Sequence, residues 1–396
     1  MRNSGTISGE NLKTDWGRFT IIVFSGVIAA MQIGKVIVFL TPLQKDFNIS
    51  LQSAGWIMSI FAVIGVVFMA PGAALVDRFG DKRLLVLGLA GILLGSICTM
   101  FTYNFPVLLV LRSLEGFGFL LISVAGPAVI QRIVAQYDKD IAFSLWSCFM
   151  PAGIVIAILT GALVSSWKSY WMYNSGAVLI LLLLIIFSIH RKTPSAAAGI
   201  GAGQMWRQII SVFKVSGMPQ MFFSFTMYNI QYFTVITFLP ALIQQNTSIS
   251  STLASALSAA VAGINIVGNI AAGTLLKKGF LRWKILLTGS LLMMITGALV
   301  FFLTNTNALV TMALIFSGVG GLVPACLISG APVLAKNEKD ATIAVGLMMQ
   351  GSSLGQVIGP VVLTAVVASF SWSAAGYIII ITAGIGMLLA WRLKKA

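Results

Sequence analysis

Charge is what this chain has least of. Only 9% of its 396 residues are Asp, Glu, Lys or Arg, against roughly a quarter in a soluble domain, which excludes a cytosolic enzyme. Acids are the scarcest, with ten Asp and Glu against 25 Lys and Arg. The one histidine, His190, sits beside Arg191 and Lys192 at the inner end of an apolar run, where it serves as an interfacial anchor. Cys98, Cys148 and Cys326 lie within apolar runs at no metal-ligand spacing, so neither a disulfide nor a metal centre is expected. P-loop and dinucleotide patterns are absent, as are the clustered His, Cys or carboxylate residues of a membrane enzyme, so no cofactor is expected. With 58% hydrophobic residues the chain is not disordered either.

What is present is apolar sequence in runs of membrane-spanning length. Twelve can be placed, near 18–40, 53–76, 84–102, 107–130, 141–164, 170–188, 218–242, 252–276, 285–304, 309–334, 342–367 and 374–391. The fold class is therefore an all-α polytopic membrane protein. Basic residues fix its orientation, since Lys and Arg of short loops stay cytoplasmic. With the N-terminus inside, the external loops hold only Lys45 and Lys168, and both termini are cytoplasmic. The net charge of +15 is thus a topology signal whose counterpart is anionic lipid, not nucleic acid. Residues 1–17 are polar with no apolar core, so the first span is expected to be a retained anchor.

A connector over 191–217, with an Ala-Gly-rich middle and a surface helix near 205–213, divides the spans six and six. The expected organisation is a cytoplasmic tail (1–17), a six-helix bundle (18–190), the linker (191–217), a second six-helix bundle (218–391) and a short cytoplasmic tail (392–396). The halves repeat: Gln32, Val36, Ile37, Phe39 and Leu40 recur as Gln231, Val235, Ile236, Phe238 and Leu239, and Gly80 recurs as Gly279, all 199 positions on. Spans three, six, nine and twelve read as peripheral, with runs 179–187 and 378–381 wholly lipid-facing. Strongly polar residues concentrate elsewhere, in spans one, four, seven, eight and eleven.

Two motifs carry a resemblance to the major facilitator superfamily over nearly the whole chain. Between spans two and three, Ala73, Leu75, Asp77, Arg78, Gly80, Lys82 and Arg83 follow G-x-L-x-D-R-x-G-R-[KR], with Ala73 for Gly and Asp81 for a basic residue. In span four, Leu108, Arg112, Glu115, Gly116 and Gly118 follow L-x-x-x-R-x-x-Q-G-x-G, with Glu115 for Gln. Within that family, the strings at Glu115, at Trp146 to Gly153 and at Gln231 to Pro240 are similar to the bacterial cyanate-permease and nitroimidazole-transporter group. The resemblance implies a twelve-helix secondary transporter of a bacterial inner membrane, two parallel-repeat bundles working by alternating access, functional as a monomer. Asp77, Arg78, Gly80 and Arg83 would form a cytoplasmic gate latch, or serve topology alone. The span-five antiporter pattern is incomplete around Pro151, which leaves the direction of transport open.

Three ionisable residues fall inside spans, where each costs at least about 2.5–3.5 kcal/mol and calls for a partner or a task. On one reading Lys35 and Arg112 attract a small anionic solute while Glu115 carries a coupling proton. On another, Arg112 and Glu115 are a buried structural pair while Lys35 snorkels outward, or Glu115 pairs with Lys35 and the pair breaks on solute binding. Gln32 shares a face with Lys35, and Tyr228, Gln231 and Tyr232 share a face of span seven; these complete the expected solute contacts. The expected partners are thus a small solute, protons and lipid; the rival reading is a proton-driven efflux antiporter for drugs or metabolites. Gly318, Gly320, Gly321 and Pro324 are the densest candidate hinge, with Gly153 and Gly355 at helix contacts.

Overall fold

Hydrocarbon offers no hydrogen bonds, so an apolar chain must satisfy its backbone internally, and helices do this within one segment. The computed structural model describes residues 13–74, 76–189, 202–246, 249–335 and 337–395; His190 and most of the linker lie outside them. Among the described residues the regular elements are helices, without a strand. In chain order they are α1 (Trp16–Asp46), α2 (Leu51–Ala74), α3 (Val76–Phe79), α4 (Asp81–Thr99), α5 (Phe105–Ile133), α6 (Lys139–Ser147), α7 (Phe149–Gly161), α8 (Trp167–Ser188), α9 (Ala202–Phe213), α10 (Met218–Asn246), α11 (Ser251–Lys277), α12 (Arg282–Phe302), α13 (Thr306–Gly320), α14 (Leu322–Gly330), α15 (Glu338–Ser369) and α16 (Ala375–Arg392).

Several helices begin where the sequence supplies a cap. Asp15, Asn104, Ser250, Asn305 and Asn337 each accept a backbone N–H three residues on. Gly80 and Gly279 end their helical segments with φ of +82° and +84°, so the repeat spacing read from the sequence coincides with a shared backbone requirement that only glycine meets cheaply.

Eleven of the described stretches are long and apolar enough to cross a membrane, the fifth and tenth spans each being built from two helical pieces. The expected twelfth, α10, forms a continuous helix of 29 residues without Asp, Glu, Lys or Arg, yet falls outside that set. Tyr228, Asn229, Gln231 and Tyr232 in its middle and Gln220, Gln244 and Gln245 near its ends dilute its apolar character.

The helices before the linker pack among themselves, α1 along α7 and α5, and α4 along α5 and α8; those after it do likewise, α10 along α15, and α12 along α16 and α13. Glycine permits the closest crossings: a Cβ on Gly34 would stand 3.1 Å from Ile154 Cα, and one on Gly88 2.8 Å from the Gly118 carbonyl. Gly153 and Gly355 hold comparable contacts against α1 and α10. The two sets meet along two seams, α2 with α15 and α11 with α6 and α7. There Gln350 Nε2 donates to the Val66 carbonyl (2.6 Å) and Ser147 Oγ to Asn269 Oδ1 (2.8 Å). The expected linker helix is α9; Ile209 and Val212 are buried while Trp206 and Ile210 face outward.

The peripheral reading of every third span needs correction. Span six carries Asn174, which is buried and bonded within the core. In the two runs taken as wholly lipid-facing, Leu181, Ile185, Ile378 and Ile379 are buried, because a helix on the rim still turns one face inward. Span ten breaks at Gly321, between α13 and α14, where α11 crosses so closely that a Cβ on Gly321 would stand 2.7 Å from the Asn269 amide nitrogen. The glycine cluster there thus serves tight packing and a helix break together.

Candidate functional site

Two polar assemblies occupy the interior. The first is an ionic cluster inside the N-terminal set. Lys35 of α1 and Arg112 and Glu115 of α5 are each no more than 1% exposed, and Glu115 takes both cations at once. Its Oε1 accepts from Lys35 Nζ (2.7 Å) and from Ser96 Oγ of α4 (2.6 Å), while its Oε2 pairs with Arg112 Nη1. Spacing brings Arg112 and Glu115 to one helix face, three residues apart. Gly95 admits the carboxylate to α4, since a Cβ there would stand 2.7 Å from Glu115 Cγ.

Arg112 also donates to the carbonyls of Ile57 (3.2 Å, α2) and Gln32 (3.1 Å, α1), and its guanidinium stacks 4.7 Å from the Phe61 ring centroid. Its Nη2 has no hydrogen-bond partner among the described residues. Lys35 Nζ lies 4.4 Å over the Trp171 ring of α8 and also donates to Ser96 Oγ (2.8 Å). Gln32 Nε2 bonds Asn174 Oδ1 (2.9 Å). The cluster therefore clamps α1, α2, α4, α5 and α8 together in one dry site.

Sequence reasoning brought Gln32, Lys35, Arg112 and Glu115 to this place but left out Ser96, Trp171 and Asn174. Asn174 carries a readable signal, as a strongly polar residue in an apolar span. Ser96 carries none, because serine is unremarkable in a helix.

The second assembly is a cavity between α6 and α7 on one side and α10, α11, α14 and α15 on the other. Among the described residues no charged side chain lines it. Tyr228 and Tyr232 stand in its wall, their rings stacked at 5.7 Å and 21°, with Phe149, Phe233 and Met349 also present. Tyr232 is buried with its hydroxyl beside Ser317, and Tyr228 accepts from Asn265 Nδ2 (3.2 Å). A chain of bonds continues from there: Asn269 Nδ2 donates to Asn265 Oδ1 (2.9 Å) and Ser147 Oγ to Asn269 Oδ1 (2.8 Å), crossing from one set of helices to the other.

The remaining sequence-derived candidates go elsewhere. Gln32, Lys35 and Arg112 do not line this cavity. Gln231 faces a smaller space with Ser224 and Met293, inside the C-terminal set, and its Oε1 has no hydrogen-bond partner among the described residues. Trp146 is fully buried against Phe149 (4.8 Å between centroids) and acts in packing.

In the loop between spans two and three, Asp77 and Arg78 fall in α3, where the side chains lie outside the described residues, and Arg83 is exposed. The acid that forms an ion pair here is Asp81, the residue that departs from the loop pattern. It is 3% exposed, and its Oδ2 accepts from both Arg132 Nε (3.1 Å) and Nη2 (2.8 Å) at the C-terminal end of α5. This charge-assisted pair fixes α4 against α5. Sequence spacing alone did not reveal it, because Arg132 is 51 residues away.

The family model described as Major Facilitator Superfamily matches residues 22–336 and, in an overlapping match, 221–396. Among relatives, Multidrug resistance protein 1 of Bacillus subtilis (strain 168) is 25% identical over 351 residues, covering 87% of this chain and 88% of that protein. The Methylenomycin A resistance protein of the same organism is 24% identical over 181 residues, 44% of this chain and 38% of that one. The D-xylose transporter of Levilactobacillus brevis is 24% identical over 137 residues, 34% of this chain and 29% of that protein. The match thus spans less than two-fifths of the length of these last two.

Proposed function

The chain belongs to the Major Facilitator Superfamily and is a multi-pass membrane transporter rather than an enzyme; on that premise we propose that it carries a small uncharged, ring-bearing solute by alternating access, coupled to protons. The observation that carries the reading is the cavity between the two sets of helices. Its wall is aromatic with two thioethers and, among the described residues, has no charged side chain. Such a surface stacks a planar or cyclic body and gives an isolated charge no counter-ion.

In this reading twelve spans form two six-helix halves joined by the linker, with α10 as the seventh span. Both termini are cytoplasmic in a bacterial inner membrane, and a single copy is the working unit. The strings at Glu115, Trp146 and Gln231 are the ground for placing it beside the cyanate-permease and nitroimidazole-transporter group. The halves rock about the cavity, parting the Ser147–Asn269 bond at one seam and the Gln350–Val66 bond at the other. The ionic cluster supplies the proton response, and its placement on α1 ties it to the cavity, because α1 packs along α7, which carries Phe149 and Met150. The names of two relatives, resistance proteins, favour outward movement in exchange for protons.

One observation favours the anion reading instead: Arg112 Nη2 is a buried, unspent donor. Proteoliposomes under an imposed proton gradient separate the two. Proton-linked flux of uncharged aromatic compounds, lost in Tyr232→Ala, is the expected result. Proton-linked flux of small carboxylates alone, lost in Lys35→Ala, would overturn it.

A further inference from the structure

The ionic cluster does not balance. Lys35 and Arg112 bring two positive charges and Glu115 one negative, in a site that water does not reach. A surplus charge in hydrocarbon has to be neutralised or put to use. Arginine keeps its proton in proteins, which leaves Lys35 and Glu115 as the groups whose proton can move.

From this geometry we infer that Lys35, not Glu115, is the group that releases and regains the coupling proton; the inference rests on the proton-coupled reading above. Glu115 holds a cation on each oxygen and the Ser96 hydroxyl on Oε1. A proton added to the carboxylate would displace one of these donors and leave Lys35 and Arg112 facing each other without a counter-charge. Loss of a proton from Lys35 does the opposite. The ammonium becomes a neutral amine, the released proton passes to water on the side to which the site opens, and an electrically neutral Arg112–Glu115 pair stays behind. The amine still has two N–H donors, enough to keep its bonds to Glu115 Oε1 and Ser96 Oγ, while the Ser96 hydroxyl goes on donating to Glu115.

The neighbouring elements offer no rival. Among the described residues, α2 and α7 carry no titratable side chain. On α4, Asp81, Lys82 and Arg83 lie about four turns from Ser96, and Cys98 is exposed. On α8, Lys168 bonds Tyr103, and Tyr170 lies within hydrogen-bonding distance of Thr160. Tyr173, also on α8, is exposed.

The switch has a built-in reporter. Lys35 Nζ stands over the Trp171 ring, and a neutral amine forfeits that cation–π attraction along with its ion pair. Deprotonation therefore loosens α1 from α8 and α5 at one stroke, and α1 is the helix laid along the cavity wall at α7.

The test needs no solute. The full chain in lipid nanodiscs is titrated across the neutral and alkaline range, following tryptophan emission and infrared difference spectra. The same is done for Lys35→Met, Glu115→Gln and Trp171→Phe. The expected result is an emission step that Lys35→Met and Trp171→Phe both abolish, with no protonated-carboxyl stretch that Glu115→Gln removes. A carboxylic-acid band that appears on acidification and vanishes in Glu115→Gln, with the emission step intact in Lys35→Met, would overturn the assignment. The infrared arm on the unaltered chain keeps it falsifiable if Lys35→Met does not fold. If neither group titrates, this assignment and coupling through the cluster both fall, while solute carriage through the cavity is judged separately by the flux assay.

Discussion

Unequal responses of the three cluster residues to neutralisation are the sharpest energetic consequence of this structure. Glu115→Gln strips the one acid from a site where Lys35 and Arg112 are at most 1% exposed. Two uncompensated cations then remain buried, and breaking a buried pair in this way costs about 3–5 kcal/mol. Arg112→Met leaves the Lys35–Glu115 pair neutral but removes two charge-assisted bonds, to the carbonyls of Ile57 and Gln32, for about 1–3 kcal/mol. Lys35→Met leaves the Arg112–Glu115 pair neutral and removes the surplus charge, with methionine filling similar space over Trp171. The expected cost is under about 1 kcal/mol, since interactions lost inside membranes average roughly 0.6 kcal/mol. The assay is reversible unfolding of the three variants in one lipid–detergent mixture, followed by near-ultraviolet circular dichroism. A loss in Lys35→Met equal to or larger than that in Glu115→Gln would refute the reasoning, because it would mean that pairwise attraction rather than charge surplus governs the site.

Tyr232→Phe keeps the ring stacked on Tyr228 and removes only the hydroxyl beside Ser317, so the affinity for a solute held by stacking should change by less than about fivefold, near 1 kcal/mol, read from flux concentration curves. Ser147→Ala deletes a bond between the two sets of helices and should raise the population parted at that seam roughly fivefold, for about 1 kcal/mol, read as spin-label distances between α6 and α11. Asp81→Arg and Arg132→Asp should each weaken the α4–α5 end, and the double exchange should recover most of the loss in thermal unfolding; no recovery would mean that the pair does not fix that end. Gly80→Ala places a side chain at φ +82° and should cost about 1–2 kcal/mol by the same measure.

How much was legible in advance depends on the range of the interaction. Asp15, Asn104 and Asn305 cap helices through bonds three residues long, and apolar runs mark spans through the solvent they avoid, so both were written locally. Lys35, Arg112 and Glu115 stood out for a similar reason, as charge is costly in hydrocarbon wherever the chain turns. Their pairing was left open, since it depends on helix rotations that bring residues 80 apart to 2.7 Å. α10 shows the reverse case: its polar middle lowers the hydropathy that marks a span, yet it is that polarity, as Tyr228 and Tyr232, that faces the cavity.

By itself, the sequence determined that this is a helical membrane protein with most of its basic residues between rather than within the apolar runs, a set of residues recurring 199 positions on, and a few ionisable residues that need partners. Those follow from hydropathy and backbone preference, which act over a turn or two. Tertiary structure alone decided that Glu115 takes both cations, that Ser96, Trp171 and Asn174 complete the cluster, that Asp81 rather than Asp77 carries the described loop ion pair, and that an uncharged aromatic cavity lies apart from the buried charges. Each is a contact between distant helices, and its geometry is set by how glycine-lined faces pack, a property of the assembled bundle rather than of any one span.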